Sequence, residues 1–340
     1  MHDGRPSTHA AAHSKKKSQK ADTRLWKWGA GAAVAGAALA GTALLNRSKA
    51  KQAEQDNPPL GDFIEVDGVR LHYLSRGEGQ PIVLLHGNGT MIEDWIASGL
   101  LDKLAGNHRV IALDRPGFGH SSRPRSRMWT PTAQAALIAK ALEALKVEKP
   151  LVVGHSFGTQ VALAMALDHP ESLSGLVLLG GYYFPSVRGD VIFASQPAVP
   201  LLGDAMRYTV SPLLGAALTP RVNARIFNPA PVPKSWTEDF PMEMALRPSQ
   251  IRAEAAEAAL MIPAAASLAP RLAELDLPVT IVAGDGDEMV DTAKQSKRLA
   301  ETVPHSRYIE IEGAGHMVHH TASKKVAETI RSAAAPVQAR

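Results

Sequence analysis

Leu151-Val152-Val153-Gly154-His155-Ser156-Phe157-Gly158 runs from an apolar segment of strand length through a G-x-S-x-G turn into a helical stretch, Ser156–Asp168. A turn this tight between strand and helix needs neighbours without a bulky side chain, so that the two elements can approach. It strains the serine backbone and holds the hydroxyl out at the end of the strand. The new helix N-terminus and the Phe157 N–H then point to where a developing oxyanion would sit. G-x-S-x-G alone is a weak signal. Between a buried strand and a helix it is specific, and it makes Ser156 the candidate nucleophile.

Working outward, strand-length apolar runs alternate with helical stretches. Phe63–Val66 and Val69–Leu74 flank Asp67-Gly68, a hairpin signal. Pro81–Leu85, Val110–Leu113, Leu151–Val153, Leu173–Leu179, Val279–Ala283 and Tyr308–Ile311 follow, making eight strands. The expectation is an α/β fold: a mainly parallel eight-stranded sheet with helices on both faces. Residues 186–270 break the rhythm, with many prolines, helical pieces and no clear strand. They read as a helical lid inserted into a core formed by 61–185 and 271–340.

A serine hydroxyl needs a base to take its proton. The chain has 13 histidines, so position must decide. His316 follows the last strand through Glu312-Gly313-Ala314-Gly315, which places it on a loop at the same sheet edge. His319 and His320 are rivals by proximity. The base needs a carboxylate to fix its tautomer. Asp287 follows the seventh strand through Gly284-Asp285-Gly286, with Asp285, Glu288 and Asp291 as alternatives. The order Ser, acid, His is the one expected for a sheet built this way. His86-Gly87-Asn88-Gly89, after the third strand, can turn its N–H groups inward. The Asn88 amide is read as the second oxyanion donor beside that of Phe157, and His86 as a brace for the loop.

These motifs, with Asp114-Arg115-Pro116-Gly117-Phe118-Gly119-His120-Ser121, make residues 61–334 resemble the α/β-hydrolase superfamily, near its lidded esterase, haloperoxidase-like and C–C hydrolase branches. The resemblance implies acyl transfer through an acyl-enzyme on Ser156, Asp287 and His316, with no metal or organic cofactor. It excludes the aspartate-nucleophile members, because a serine stands at that position. Tyr182, Tyr183 and Phe184, after the sixth strand, are either pocket-lining or lid-packing residues. The apolar lid favours a small hydrophobic ester. C–C bond hydrolysis, cofactor-free haloperoxidase-like chemistry and a non-catalytic ligand receptor are the alternatives.

The formal net charge of +4 does not point to nucleic acid. Residues 1–56 carry +6 and the remainder −2, so the basicity belongs to the tail. No cysteine is present, which excludes disulfides and thiolate metal sites. Residues 1–27 read as a disordered basic tail. Residues 28–45, without charge and Gly/Ala-rich, read as an apolar helix of roughly membrane-spanning length. The heavier basic flank before it places the catalytic domain outside the cytoplasm if the segment anchors the chain. A signal peptide cleaved near Ala38-Leu39-Ala40, giving a secreted or periplasmic protein, and a plain Ala-rich helix are the rival readings. Residues 46–60 read as a linker. The sequence leaves the oligomeric state unknown.

Overall fold

Asp67 and Gly68 take positive φ (49° and 73°), the backbone that closes a two-residue hairpin between β1 (Asp62–Val66) and β2 (Val69–Arg76). The structure, a computed structural model, describes residues 8–335. Six further strands complete the sheet: β3 (Pro81–Leu85), β4 (Arg109–Leu113), β5 (Leu151–His155), β6 (Gly175–Leu179), β7 (Val279–Gly284) and β8 (Arg307–Ile311). Their spatial order is β1-β2-β4-β3-β5-β6-β7-β8. β2 is antiparallel to both its neighbours, and β3 to β8 are parallel.

Helix α1 spans Thr8–Asp56. On one face of the sheet lie α2 (Ile92–Ala97), α3 (Leu100–Ala105) and the last helix, α14 (Ser323–Ala334). On the other lie α4 (Pro131–Ala144), α5 (Phe157–Asp168) and α12 (Arg298–Thr302). The short α13 (Val318–Thr321) precedes α14. Alternation along each strand serves both layers: Val83 and Leu85 join one core, Ile82 and Leu84 the other. Both faces are therefore apolar, which explains why the parallel strands read as continuous hydrophobic runs.

Between β6 and β7 come six helices: α6 (Gly189–Ala194), α7 (Leu202–Tyr208), α8 (Val210–Phe227), α9 (Lys234–Asp239), α10 (Met242–Ala245) and α11 (Pro248–Leu268). No strand interrupts them among the described residues. The sheet register aligns Leu85 with Gly154, Gly154 with Leu178, and Leu179 with Val282. The loops after β3, β5, β6, β7 and β8 therefore emerge along one edge. From β3 the chain moves outward to β4 and then returns across β3 to β5. Ser156 thus lies where the winding direction reverses, the crevice position of open parallel sheets.

The N-terminal expectations need correction. Residues 1–7 lie outside the described residues. From Thr8 the chain is one continuous helix to Asp56, through stretches expected as disordered tail and linker. The end of that helix is docked. Asn46 Nδ2 donates to the carbonyls of Tyr208 (2.9 Å) and Thr209 (2.8 Å), and Ala53 is buried among Phe227, Trp236 and Phe240. Arg247 reaches Glu54 at 2.8 Å.

The expected membrane anchor at 28–45 is also corrected. Among the described residues, no helix is long and apolar enough to cross a membrane. The segment is charge-free but composed mostly of Gly and Ala, with Val34, Leu39, Leu44 and Leu45 as its large aliphatics. Small side chains gain little on transfer to hydrocarbon. Membrane association through 28–45, and the placement outside the cytoplasm that rested on this segment, fall with it.

Candidate active site

Ser156 stands between β5 and α5 with φ 51° and ψ −118°, a left-side backbone that a residue with a Cβ adopts only under strain. The surrounding glycines show why the turn is this tight. A Cβ on Gly158 would collide with the Leu85 carbonyl oxygen and lie 2.6 Å from that of His86. One on Gly154 would lie 2.6 Å from the Gly158 carbonyl oxygen. Helix α5 is thus pressed against the ends of β3 and β5, and the serine is pushed to the edge.

The loop after β8 brings His316 to that edge, and the loop after β7 brings Asp287. His316 Nδ1 lies 2.8 Å from Asp287 Oδ2, with the two side chains 8% and 1% exposed. The other carboxylate oxygen, Oδ1, accepts the N–H groups of Met289 (2.8 Å) and Val290 (2.9 Å), which fixes its plane. With Nδ1 committed to the carboxylate, Nε2 is the nitrogen left for a substrate-side proton. No hydrogen bond joins Ser156 Oγ to His316 among the described residues, and such contacts commonly tighten only when substrate binds.

The N–H groups of Asn88 and Phe157 have no acceptor among the described residues. Phe157 follows Ser156 as the first residue of α5, and the Asn88 loop is pressed against Ser156: a Cβ on Gly87 would lie 3.2 Å from Ser156 Cβ. Two free amides beside a strained serine can receive an oxyanion.

A family model for the alpha/beta hydrolase fold matches residues 80–323. The chain belongs to the α/β-hydrolase family. It is 36% identical over 150 residues to a 2-hydroxymuconate semialdehyde hydrolase of Pseudomonas sp. strain CF600, covering 43% of this chain and 53% of that one. It is 32% identical over 156 residues to a 2-hydroxy-6-oxo-2,4-heptadienoate hydrolase of Pseudomonas putida, covering 45% and 56%. The matches thus span about half the length of these curated relatives. The enol-lactonase of Burkholderia xenovorans LB400 superposes with a TM-score of 0.66 at 20% identity, over 80% of this chain and 99% of that one, a likeness of fold.

The other candidates for acid and base in this chain all have partners elsewhere. Asp285 Oδ1 accepts the Gly313 N–H at 2.8 Å, Glu288 takes the Asn228 amide at 2.7 Å, and Asp291 pairs with Lys294 at 2.8 Å. His319 Nε2 and His320 Nε2 both point at Asp94 Oδ1, at 2.9 and 2.7 Å. Those three side chains have atoms close enough to share a cation. Each histidine hydrogen-bonds to Asp94, and all three side chains are enclosed. An open hollow of about 410 Å³ beside the acid loop is lined by Asp285, Asp287, Glu288, Asp291, Lys297 and Glu310 among others. It includes neither Ser156 nor His316, so it is a solvent-facing acidic surface.

Below the His86–Gly89 loop lies a buried network centred on Arg115. The Arg115 N–H donates to His86 Nε2 (3.0 Å), so the His86 proton sits on Nδ1 and is donated to the Gly87 carbonyl (2.8 Å). Burial, with the Arg115 charge beside it, lowers His86 to about 3, which keeps it neutral. Arg115 Nε and Nη2 donate to the carbonyls of His86 (2.9 Å) and Gly87 (2.8 Å). Glu257, on α11, holds the guanidinium through Nη2 at 2.9 Å and also accepts from Gln134 at 2.8 Å. His86 is thus the brace the sequence suggested, and Arg115 and Glu257 are braces it did not reveal.

His155 Nε2 lies 3.2 Å from the His316 carbonyl, and burial lowers its pKa well below the ordinary histidine value. It supports the base loop as a neutral group. Tyr182 and Tyr183 are 2% and 1% exposed and pack in the core with Phe184. Gln295 accepts the N–H groups of Tyr183 and Phe184, each at 2.7 Å. The side chains of Tyr182 and Tyr183 are thus enclosed in the core beside Phe184.

Proposed function

We propose that the hydrolase cleaves carboxylic esters of small, mainly hydrophobic substrates through an acyl-enzyme on Ser156. The observation that carries this reading is a strained serine sharing one sheet edge with a His316–Asp287 pair and two free amides. Ser156 Oγ attacks the carbonyl carbon while His316 Nε2 takes its proton. Asp287 holds the imidazole in the required tautomer and stabilises the imidazolium. The N–H groups of Asn88 and Phe157 receive the oxyanion. Such a donor is worth about 10²–10³ in kcat, because it is aimed in advance at charge that develops only in the transition state. His316 then gives its proton to the leaving oxygen, the ester bond breaks, and water repeats the sequence on the acyl-enzyme. The helices between β6 and β7 act as a lid over this edge.

A second reading keeps the residues and changes the bond. The two curated relatives are named for a muconate semialdehyde and a heptadienoate, which favours hydrolysis of a C–C bond next to a carbonyl. The test is product analysis on p-nitrophenyl esters of increasing acyl length against a set of dienoate diketones, with Ser156→Ala as control. Ester turnover that vanishes in the variant supports the first reading. Diketone cleavage without ester turnover replaces it with the second.

A further inference from the structure

Helix α11 lays one face along the oxyanion loop. Gln250, Glu254 and Glu257 recur at i, i+4 and i+7, which puts them on one stripe. Two of the three have protein partners. Gln250 Oε1 accepts the Gly119 N–H at 2.9 Å and its Nε2 donates to the Gly89 carbonyl at 3.3 Å. Glu257 is held by Arg115 and Gln134. The Glu254 carboxylate has neither a hydrogen bond nor an ion pair among the described residues.

Its position is nevertheless fixed. The Glu254 carbonyl accepts Asn88 Nδ2 at 3.2 Å, and its carboxylate stands over Gly89, where a Cβ would lie 3.5 Å from both Cδ and Oε1. The group therefore overhangs the loop whose Asn88 amide is the oxyanion donor of the proposed mechanism. Its neighbours Ala253 and Ala255 are buried, but Glu254 is partly accessible, so it borders open space and not packed core. Burial, with the like charge of Glu257, raises its acid to about 7. The carboxylate stands beside Gly89 and the Asn88 loop with no protein partner among the described residues.

We propose that Glu254 is a specificity-determining residue that pairs with a hydrogen-bond donor of the substrate, a hydroxyl or an ammonium, and rejects substrates that place a carboxylate at that wall. Like-charge juxtaposition is a common way for a pocket to refuse the wrong ligand. Recognition by Glu254 needs no turnover, so the proposal rests on the serine-hydrolase reading only for the chemistry after binding. It also separates the two readings above, because a dienoate carries the group that Glu254 would repel.

The test is calorimetric binding of hexylammonium, hexanol and hexanoate to the full chain at about pH 8, where the carboxyl is ionised. It is accompanied by kcat/KM for the p-nitrophenyl esters of heptanoic acid, ε-aminohexanoic acid and, as the monoester, adipic acid. The expected order is ammonium, then neutral, then carboxylate, with the extremes at least about tenfold apart. Glu254→Gln should bring the extremes to within about threefold, and Glu254→Ala should do the same if the amide variant folds poorly. Equal binding of the cation and the anion by the wild type, or a ratio unchanged in either folded variant, overturns the proposal. Failure to turn over any ester, with the ammonium preference intact, would break the ester reading and leave Glu254 standing. Equal turnover of all three esters would do the reverse.

Discussion

Strands β3, β5, β6 and β7 bury side chains on both faces, whereas the segment from Val187 through α8 leaves large apolar groups in the open, with Val187 95% and Leu201 84% exposed. The two regions follow different rules. At the sheet edge, each functional residue is fixed by the strand it follows and by glycines that allow no side chain. In the insertion, position is set by packing and by a few long-range polar contacts. Helix α11 belongs to both: its Glu257 joins the insertion to Arg115 and so to the loop after β3.

The largest effect should come from the edge. Asp287→Asn is expected to lower kcat by about 10⁴ while leaving the fold intact, since it reverses the tautomer that the His316 Nδ1 contact fixes. Asp285→Asn should stay within about tenfold of wild type, because Asp285 holds only the Gly313 N–H. Steady-state kinetics on one ester checks both, and the opposite ranking would move the acid role to Asp285.

Next comes the link between the regions. Glu257→Ala leaves the Arg115 guanidinium buried beside the oxyanion loop with less compensation, and should cost about 3–5 kcal/mol in denaturant unfolding. A loss below about 1 kcal/mol would mean that Arg115 holds the loop without help from α11.

A smaller, pH-dependent effect belongs to Glu254. Its acid lies above the ordinary 4.5, at about 7, in the folded chain. The folded state therefore keeps the proton to higher pH than the unfolded one. Wild type and Glu254→Gln should be matched in stability below about pH 4.5, and the variant should gain on wild type as pH rises, levelling off above about pH 7. Thermal melts across that range would show a constant gap if the carboxyl were instead paired in solution.

The smallest effect is expected on the insertion surface. Val187→Ser should change stability by no more than about 0.5 kcal/mol. A larger loss would show that this segment is packed against something.

The same comparison explains what the sequence made legible. The placement of Ser156, His316 and Asp287 at one sheet edge could be read because each comes just after an apolar strand at a glycine-marked turn, and the eight strands themselves could be read from their apolar runs. Glu257 and Glu254 could not. Their partners, Arg115 and the loop at Asn88 and Gly89, lie far away in sequence, and α11 announced itself only as a helix. Tyr182 and Tyr183 could be placed after β6, but the core that encloses them, and Gln295, which accepts the N–H groups of Tyr183 and Phe184, come near only in the folded chain. The Gly/Ala run at 28–45 misled because absence of charge is not the same as apolar bulk.

The most direct measurement is intact and peptide mass spectrometry after reaction with a fluorophosphonate, on wild type, Ser156→Ala and His316→Ala. The account predicts one adduct per chain, carried by Ser156, absent in Ser156→Ala and formed far more slowly in His316→Ala. A wild-type protein that stays unlabelled, or an adduct on another residue, would contradict Ser156 as the nucleophile.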